Sequence, residues 1–269
     1  MISNELSPTD TPLADAAVER GWSATWPRKI SRLIARRVVT RSAVLAGPTA
    51  AASITFDDVP ESAVRVGAPV LERKGVRGTF YVSAGQCGTT DEHWRVASRA
   101  DVRALAQAGH EIGCHTVSHV NVQSLDRAGL ARECARNAAL LAEISGNVRL
   151  DSFAYPFGDL GILQKRWLER RFGSCRSIYE RVNVGRVDLG NVGAIGLFDR
   201  TLNRDAVERL VAQAAADRAW LVFYTHDVSS TPTFMGTSPT LLENTLKILD
   251  DYGVPCLTMA EALRHHRAA

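Results

Sequence analysis

From about Ala50 onward, short apolar runs alternate with longer stretches of helical spacing. This alternation is the strongest constraint on what the chain can become. Runs at 52–56, 78–82, 111–114, 152–155, 220–225 and 254–257 read as strands. Helical spacing covers 63–74, 99–108, 126–144, 163–171, 204–216 and 239–252, with a closing helix over 259–266. Gly75, Gly109 and Gly146 stand just past three of these helices, where a left-handed end is easiest for glycine. A helix between successive strands carries the chain back to the starting edge, so those strands run parallel. The expected fold class is therefore α/β, with a mostly parallel sheet or barrel. In such folds, side chains at the C-terminal ends of strands build the site.

The chain divides into an N-terminal extension, residues 1–49, and an α/β domain, residues 50–269. Met1 to Pro12 is rich in Ser, Thr, Asp and Pro and reads as a flexible tail. Helical character follows from about Leu13 to Arg41, interrupted near Trp26 and Pro27. Within it, Lys29, Arg32, Arg36, Arg37 and Arg41 interleave with Ile30, Leu33, Ile34 and Val38. A surface helix packed on the domain is the commoner meaning of that pattern. Peripheral membrane contact through 28–41 is the other.

The formal net charge is only +3, and outside this stretch Lys and Arg are scattered, which argues against a nucleic-acid partner. The five cysteines, Cys87, Cys114, Cys134, Cys175 and Cys256, are odd in number and form no CxxC pair. They suggest neither a disulfide framework nor a thiolate zinc site, and fit a reducing compartment. The polar, acidic start lacks the charged-then-apolar pattern of a secretory signal, and no run is long enough to span a bilayer. A cytoplasmic location is the expectation.

Four segments carry chemistry. Asp57-Asp58 follows the first strand. Adjacent residues leaving a strand point different ways, so one can hold a metal while the other accepts a proton; alone, such a pair more often caps a turn or helix. His115-Thr116-Val117-Ser118-His119 places two imidazoles on one helical turn or in a compact loop. With a carboxylate from Asp57 or Asp58, they make a two-His, one-carboxylate set open to zinc, cobalt, nickel or iron. Cys114 is a rival ligand, expected to point away within its strand. Phe153 to Asp159 runs a strand into Pro156 and Gly158, a sharp turn able to aim the Phe157 N–H at a developing oxyanion. Trp220 to Asp227 delivers His226 at a strand end, suited to proton transfer, with Asp227 or another carboxylate to orient it. Each of these last two is, in isolation, more often an ordinary strand end.

Taken together and in this order, the segments resemble the polysaccharide deacetylase family (the NodB-homology domain, carbohydrate esterase family four). The resemblance rests on Thr55 to Asp58, Gly109 to His119, Tyr155 to Gly158 and Thr225 to Asp227, with Gly253 to Pro255 and Leu257-Thr258 as the closing strand. It covers about Ala50 to Leu263. It implies a distorted, incomplete parallel (β/α) barrel. Asp58, His115 and His119 would hold a divalent metal, usually Zn2+ and sometimes Co2+. Asp57 would be the general base, His226 the general acid, and the Phe157 backbone N–H an oxyanion donor. The implied reaction removes an N-acyl group, most often N-acetyl, from an amino sugar, oligosaccharide or glycoconjugate.

Three departures stand out. The Arg that opens the family's third motif and orients the base is replaced here by Ala154, and Arg200 is the candidate substitute. The fourth-motif Asp is not recognisable; Asp188 and Asp199 are candidate partners for His226. Val59 stands where the family usually has Gly. These departures keep two other classes open: a sugar-binding domain without hydrolysis, and a metal-dependent amidase on a non-sugar amide.

Overall fold

The structure, a computed structural model, describes residues 28–146 and 149–267. The expected tail and the first part of the helical extension, residues 1–27, lie outside the described residues. Elements run α1 (Arg28–Arg37), β1 (Ser42–Val44), β2 (Ala51–Asp57), α2 (Ala68–Arg73) after a π-helical turn, β3 (Thr79–Val82), α3 (Arg99–Gln107), β4 (Glu111–Cys114) and α4 (Arg127–Ser145). They continue with β5 (Ser152–Ala154), α5 (Ile162–Leu168), β6 (Ser174–Arg176), β7 (Arg186–Asp188), β8 (Ile195–Gly196), α6 (Arg204–Asp217), β9 (Trp220–Thr225), α7 (Pro239–Asp251) and α8 (Met259–Arg267).

Seven strands form one sheet in the order β6-β5-β4-β3-β2-β9-β8, and every pairing in it is parallel. β1 and β7 form a separate antiparallel pair. The sheet curls into a distorted, incomplete (β/α) barrel, as expected. Its two edges are linked by one irregular stretch. Leu189 and Val192 bond to Cys175 of β6, and Leu197 N–H donates to Tyr224 of β9 at 2.8 Å.

Strand periodicity sorts the side chains. On β2 every residue is buried, as a strand covered on both faces must be. Ile54 and Phe56 join Phe80, Leu221 and Phe223 in the cluster under the helices. The alternate positions, Tyr81, Trp220, Val222 and Tyr224, pack together in a second cluster. Asp57 belongs to that alternate set by its register with Ala51, Ser53 and Thr55, so the period of two turns its carboxylate to the barrel interior.

Two features depart from the expected order. The closing strand at 254–257 is a single bridge, Ala52 to Cys256. β3 pairs with β2 only from Thr55, leaving the lower edge of β2 open for it, but Pro255 has no N–H to extend a ladder. The short strands β1, β6, β7 and β8 lie where no strand was expected.

α1 packs against the domain. Ser31 and Ala35 are buried, and the Ile162 N–H donates to Ser31 Oγ at 3.1 Å. Lys165 Nζ, fully buried, donates to the carbonyls of Ala35 (2.8 Å) and Val38 (2.6 Å) and pairs with Asp188. These bonds satisfy carbonyls at the helix C-terminus that would otherwise lack partners.

Candidate active site

The loops that leave β2, β4 and β5 carry five of the six non-glycine residues with positive φ among the described residues: Asp58 (57°), Val59 (46°), Thr116 (62°), His119 (52°) and Phe157 (59°). The left-handed region is costly for side chains, and for a β-branched residue most of all. Each such residue stores about 1–3 kcal/mol that the surrounding packing must hold. Val59 is fully buried, so burial offsets the strain where glycine would carry none. At Gly158, with φ 61°, a Cβ would lie 2.0 Å from Ile178, so the third-motif turn has no room for a side chain.

His115 and His119 converge through a loop rather than a helical turn. His115 Nε2 lies 3.4 Å and His119 Nε2 3.1 Å from Asp58 Oδ1. One ligand atom from each of the three residues falls within 4.8 Å of the others. His115 Nδ1 sits 2.9 Å from the Ala154 carbonyl, which can only accept, so Nδ1 carries the proton and Nε2 presents a lone pair. Asp58 Oδ1 is buried and has no hydrogen-bond partner among the described residues. Lone pairs of imidazole facing an orphaned carboxylate oxygen are unstable without a cation between them. The donor set therefore fits a divalent metal with open positions.

With no cation between them the carboxylates draw a proton instead: burial pushes the His115 pKa down, but hydrogen bonding to Asp58 and the charges of Asp57 and Asp58 outweigh it and raise it. Burial pushes the Asp58 carboxyl up, but hydrogen bonding and charge from His115, with charge from His119 and His226, outweigh it and hold it well below the ordinary range. Burial, then the charge of His115, pushes His119 down to about 4, keeping it neutral and free to ligate. The loop itself is held by Glu133 of α4. Its Oε2 accepts from the N–H groups of Val117 (3.0 Å) and Ser118 (3.1 Å), and its Oε1 from Ser118 Oγ at 2.8 Å. Cys114 points away, as expected, into the apolar cluster beneath α4, where Asn137 Nδ2 lies 3.4 Å from its sulfur.

Asp57 is paired with Arg176, a fully buried guanidinium from β6. That guanidinium lies 5.0 Å from the ring centre of Tyr81 and 5.3 Å from that of Tyr224. Burial pushes its pKa down, yet the charge of Asp57 prevails and keeps it protonated. The structure thus corrects the sequence expectation. The arginine that holds Asp57 is Arg176, one strand along from the empty Ala154 position, and not Arg200. β6 pairs with β5 in a register that sets Ala154 against Arg176, so the neighbouring strand supplies the missing group.

His226 is stacked on Trp94, with ring centres 5.4 Å apart and planes 27° apart. Its Nε2 faces Asp58 Oδ2 at 3.9 Å, and its Nδ1 lies 3.2 Å from the Met235 carbonyl. No candidate carboxylate orients it. Asp188 is engaged by Lys165, Asp199 accepts from Ser238 N–H at 2.7 Å, and Asp227 accepts from Thr233 Oγ1 at 2.5 Å. A backbone carbonyl fills the place of the fourth-motif Asp. Phe157 lies with its ring centre 4.5 Å from that of His119, and its side chain is 63% exposed.

Asp57, Asp58, His115, His119, Phe157 and His226 all line one cleft of about 560 Å3. The structure therefore brings these six residues together, while Asp188, Asp199 and Asp227, the candidate partners of His226, do not line the cleft. The residues missed were Arg176, Glu133 and Trp94. A place for Arg176 was readable: the β/α rhythm calls for a strand after the helix ending near Leu168, and Ser174-Cys175-Arg176 is the first alternating run beyond Gly173.

Comparison with known proteins gives concordant findings. The family model described as polysaccharide deacetylase matches residues 46–169. A chitin deacetylase from Pestalotiopsis sp is 31% identical over 96 residues, covering 36% of this chain and 30% of that protein. A probable peptidoglycan-N-acetylglucosamine deacetylase from Arthroderma benhamiae is 29% identical over 119 residues, covering 44% of this chain and 25% of the relative. The chain thus spans under a third of the length of either. Among solved structures, a family 4 carbohydrate esterase from Streptomyces lividans in complex with acetate superposes with TM-score 0.51 at 18% identity, covering 78% of this chain and 93% of that one. A CE4 family pseudoenzyme from Bacillus anthracis superposes with TM-score 0.54 at 15% identity, covering 81% and 66%. Both likenesses are of fold, and a fold shared with a pseudoenzyme does not decide activity.

Proposed function

We propose that the chain is a member of the polysaccharide deacetylase family and that it hydrolyses an N-acyl group, N-acetyl above all, from an amino sugar or glycoconjugate. One observation carries the reading. Asp57, held from behind by the buried Arg176, opens on the same cleft as the Asp58, His115, His119 set and His226. A domain that only bound sugar would need neither a held base nor a placed proton donor. Arg176 and the Met235 carbonyl also supply what the altered third and fourth motifs lack.

Asp58, His115 and His119 would hold the divalent ion, Zn2+ in the first place and Co2+ in the second. When bound, such an ion polarises the acyl oxygen and acidifies water. The protein supplies the remaining roles. Arg176 holds Asp57 in place at the cleft, where Asp57 would take the proton of the attacking water. The Phe157 N–H donates to the oxygen that becomes negative. Protonated at both nitrogens, His226 would donate Nδ1–H to the Met235 carbonyl and pass its Nε2 proton to the departing amine, leaving the ring neutral. Acid–base and oxyanion groups of this kind are each worth about 2–4 kcal/mol of barrier. A His226→Ala variant is therefore expected to lose roughly 100-fold or more in kcat while keeping its metal. Near-full turnover would remove the role.

α1 supports contact with an anionic membrane face, on the cytoplasmic side in this reading. Ile30, Leu33, Val38 and Val39 are 46–54% exposed beside exposed Arg28, Lys29 and Arg37, and the helix has no acidic residue. Co-sedimentation with vesicles containing anionic lipid, lost in a Leu33→Asp variant, is the expected result. Sedimentation indifferent to lipid charge would contradict it.

A further inference from the structure

One cationic side chain in the cleft is unused by this reaction. Arg200 is the only Lys or Arg among the described residues that line the cleft. Its guanidinium carbon lies 5.8 Å from the ring centre of Phe198 and 5.6 Å from that of Phe234. It makes no hydrogen bond or ion pair among the described residues.

The acids that line the cleft, and Asp199 beside Arg200, are each engaged elsewhere. Asp199, its neighbour, accepts from Ser238 N–H and Thr237 Oγ1. Asp57 holds Arg176, and Asp58 faces the histidines. Asp91 Oδ1 accepts from the N–H groups of His93 and Trp94, and Glu92 lies 3.4 Å from His93 Nε2. The aromatic neighbours restrict the arginine without consuming its N–H donors, which remain open to an incoming group. Phe198 also stands with its ring centre 6.4 Å from that of His226, so Arg200 sits one ring away from the proton donor.

We propose that Arg200 recognises an anionic substituent, a phosphate or a carboxylate, on the same sugar that carries the acyl group. The proposal rests on the deacylase reading and names its substrate class: an acylated amino sugar that is itself an anion, rather than a neutral polymer. A guanidinium fork pairs with two oxygens of either group, and a neutral sugar leaves it without a partner.

The test uses sugars that the reaction cannot alter. Glucosamine, glucosamine 1-phosphate and muramic acid are titrated by calorimetry into the full chain loaded with Zn2+, as wild type and as Arg200→Gln. The wild type is expected to bind at least one of the two anionic sugars roughly tenfold more tightly than glucosamine. The preferred sugar identifies phosphate or carboxylate as the group read. In Arg200→Gln that preference falls to about unity. The proposal is overturned by no anionic preference, by a preference that survives in Arg200→Gln (the anion then sits on the metal), by equal weakening for all three sugars, or by no binding of any. Acetate release from the N-acetylated forms is measured beside it. No release with the Arg200-dependent preference intact would sink the deacylase reading while leaving the anion site standing.

Discussion

Replacing Arg176 by Met isolates the interaction on which the base depends. The side chain is wholly buried, and Asp57 is 4% exposed. Met keeps most of the aliphatic volume between the rings of Tyr81 and Tyr224, so little of the effect comes from a cavity. What changes is that a buried carboxylate loses its counter-charge. Breaking such a pair from one side costs about 3–5 kcal/mol. Asp57→Asn alone strands the guanidinium, whose Nε and Nη1 already lack partners, and falls in the same range. Arg176→Met with Asp57→Asn removes both charges, and should return to within about 2 kcal/mol of wild type. The coupling energy is then at least about 4 kcal/mol in favour of the pair. Urea unfolding followed by circular dichroism, with metal chelated so that ligand linkage does not enter, reads all four proteins. Single variants that each lose under about 1 kcal/mol, or a double variant that loses their sum, would refute the claim that this pair is a coupled buried unit.

Removing a metal ligand must show in binding before it shows in rate: Asp58→Ala should weaken Zn2+ affinity by more than about 100-fold by calorimetry, beyond what outer positioning groups contribute. Undiminished affinity would place the ion elsewhere. His266 offers a pH test remote from the cleft. It is fully buried, with neither ring nitrogen bonded among the described residues, and burial, then the charge of His265, pushes it down to about 4. In the unfolded chain the ring titrates near about 6.5, so the unfolded state takes up its proton first as pH falls. The stability associated with the neutral ring is whole above about 6.5 and drains away toward about 4. His266→Phe should therefore lose less of its urea midpoint between pH 7 and pH 5 than wild type does, and equal losses would contradict this.

Most of the sheet was legible because buried parallel strands are written as apolar runs, and β2, β4 and β9 are of that kind. The six cleft residues were legible for a related reason: all lie at the C-terminal end of β2, β4, β5 or β9 or in the loop that follows, where a parallel sheet opens. β6 could be placed by the β/α rhythm but not recognised by its composition, because it breaks that rule. Its Ser174 and Arg176 are polar and still buried, the arginine being admitted to the interior only because Asp57 neutralises it from a distant strand. A sequence shows the charge but not the partner 119 residues away. His226 illustrates a further limit, since its orienting group is a main-chain carbonyl, which leaves no mark in residue identity. The closing strand was over-read because the apolar run at 254–257 contains Pro255, whose missing N–H ends pairing after a single bridge.

Acetate release is the most direct measure of the central claim. The full chain loaded with Zn2+ is incubated with N-acetylated amino sugars, neutral and anionic, beside Asp57→Asn and a chelated control. The account predicts release by the loaded wild type, abolished in both controls. Release that persists in Asp57→Asn, or its absence from every sugar with one metal ion bound per chain, would contradict it.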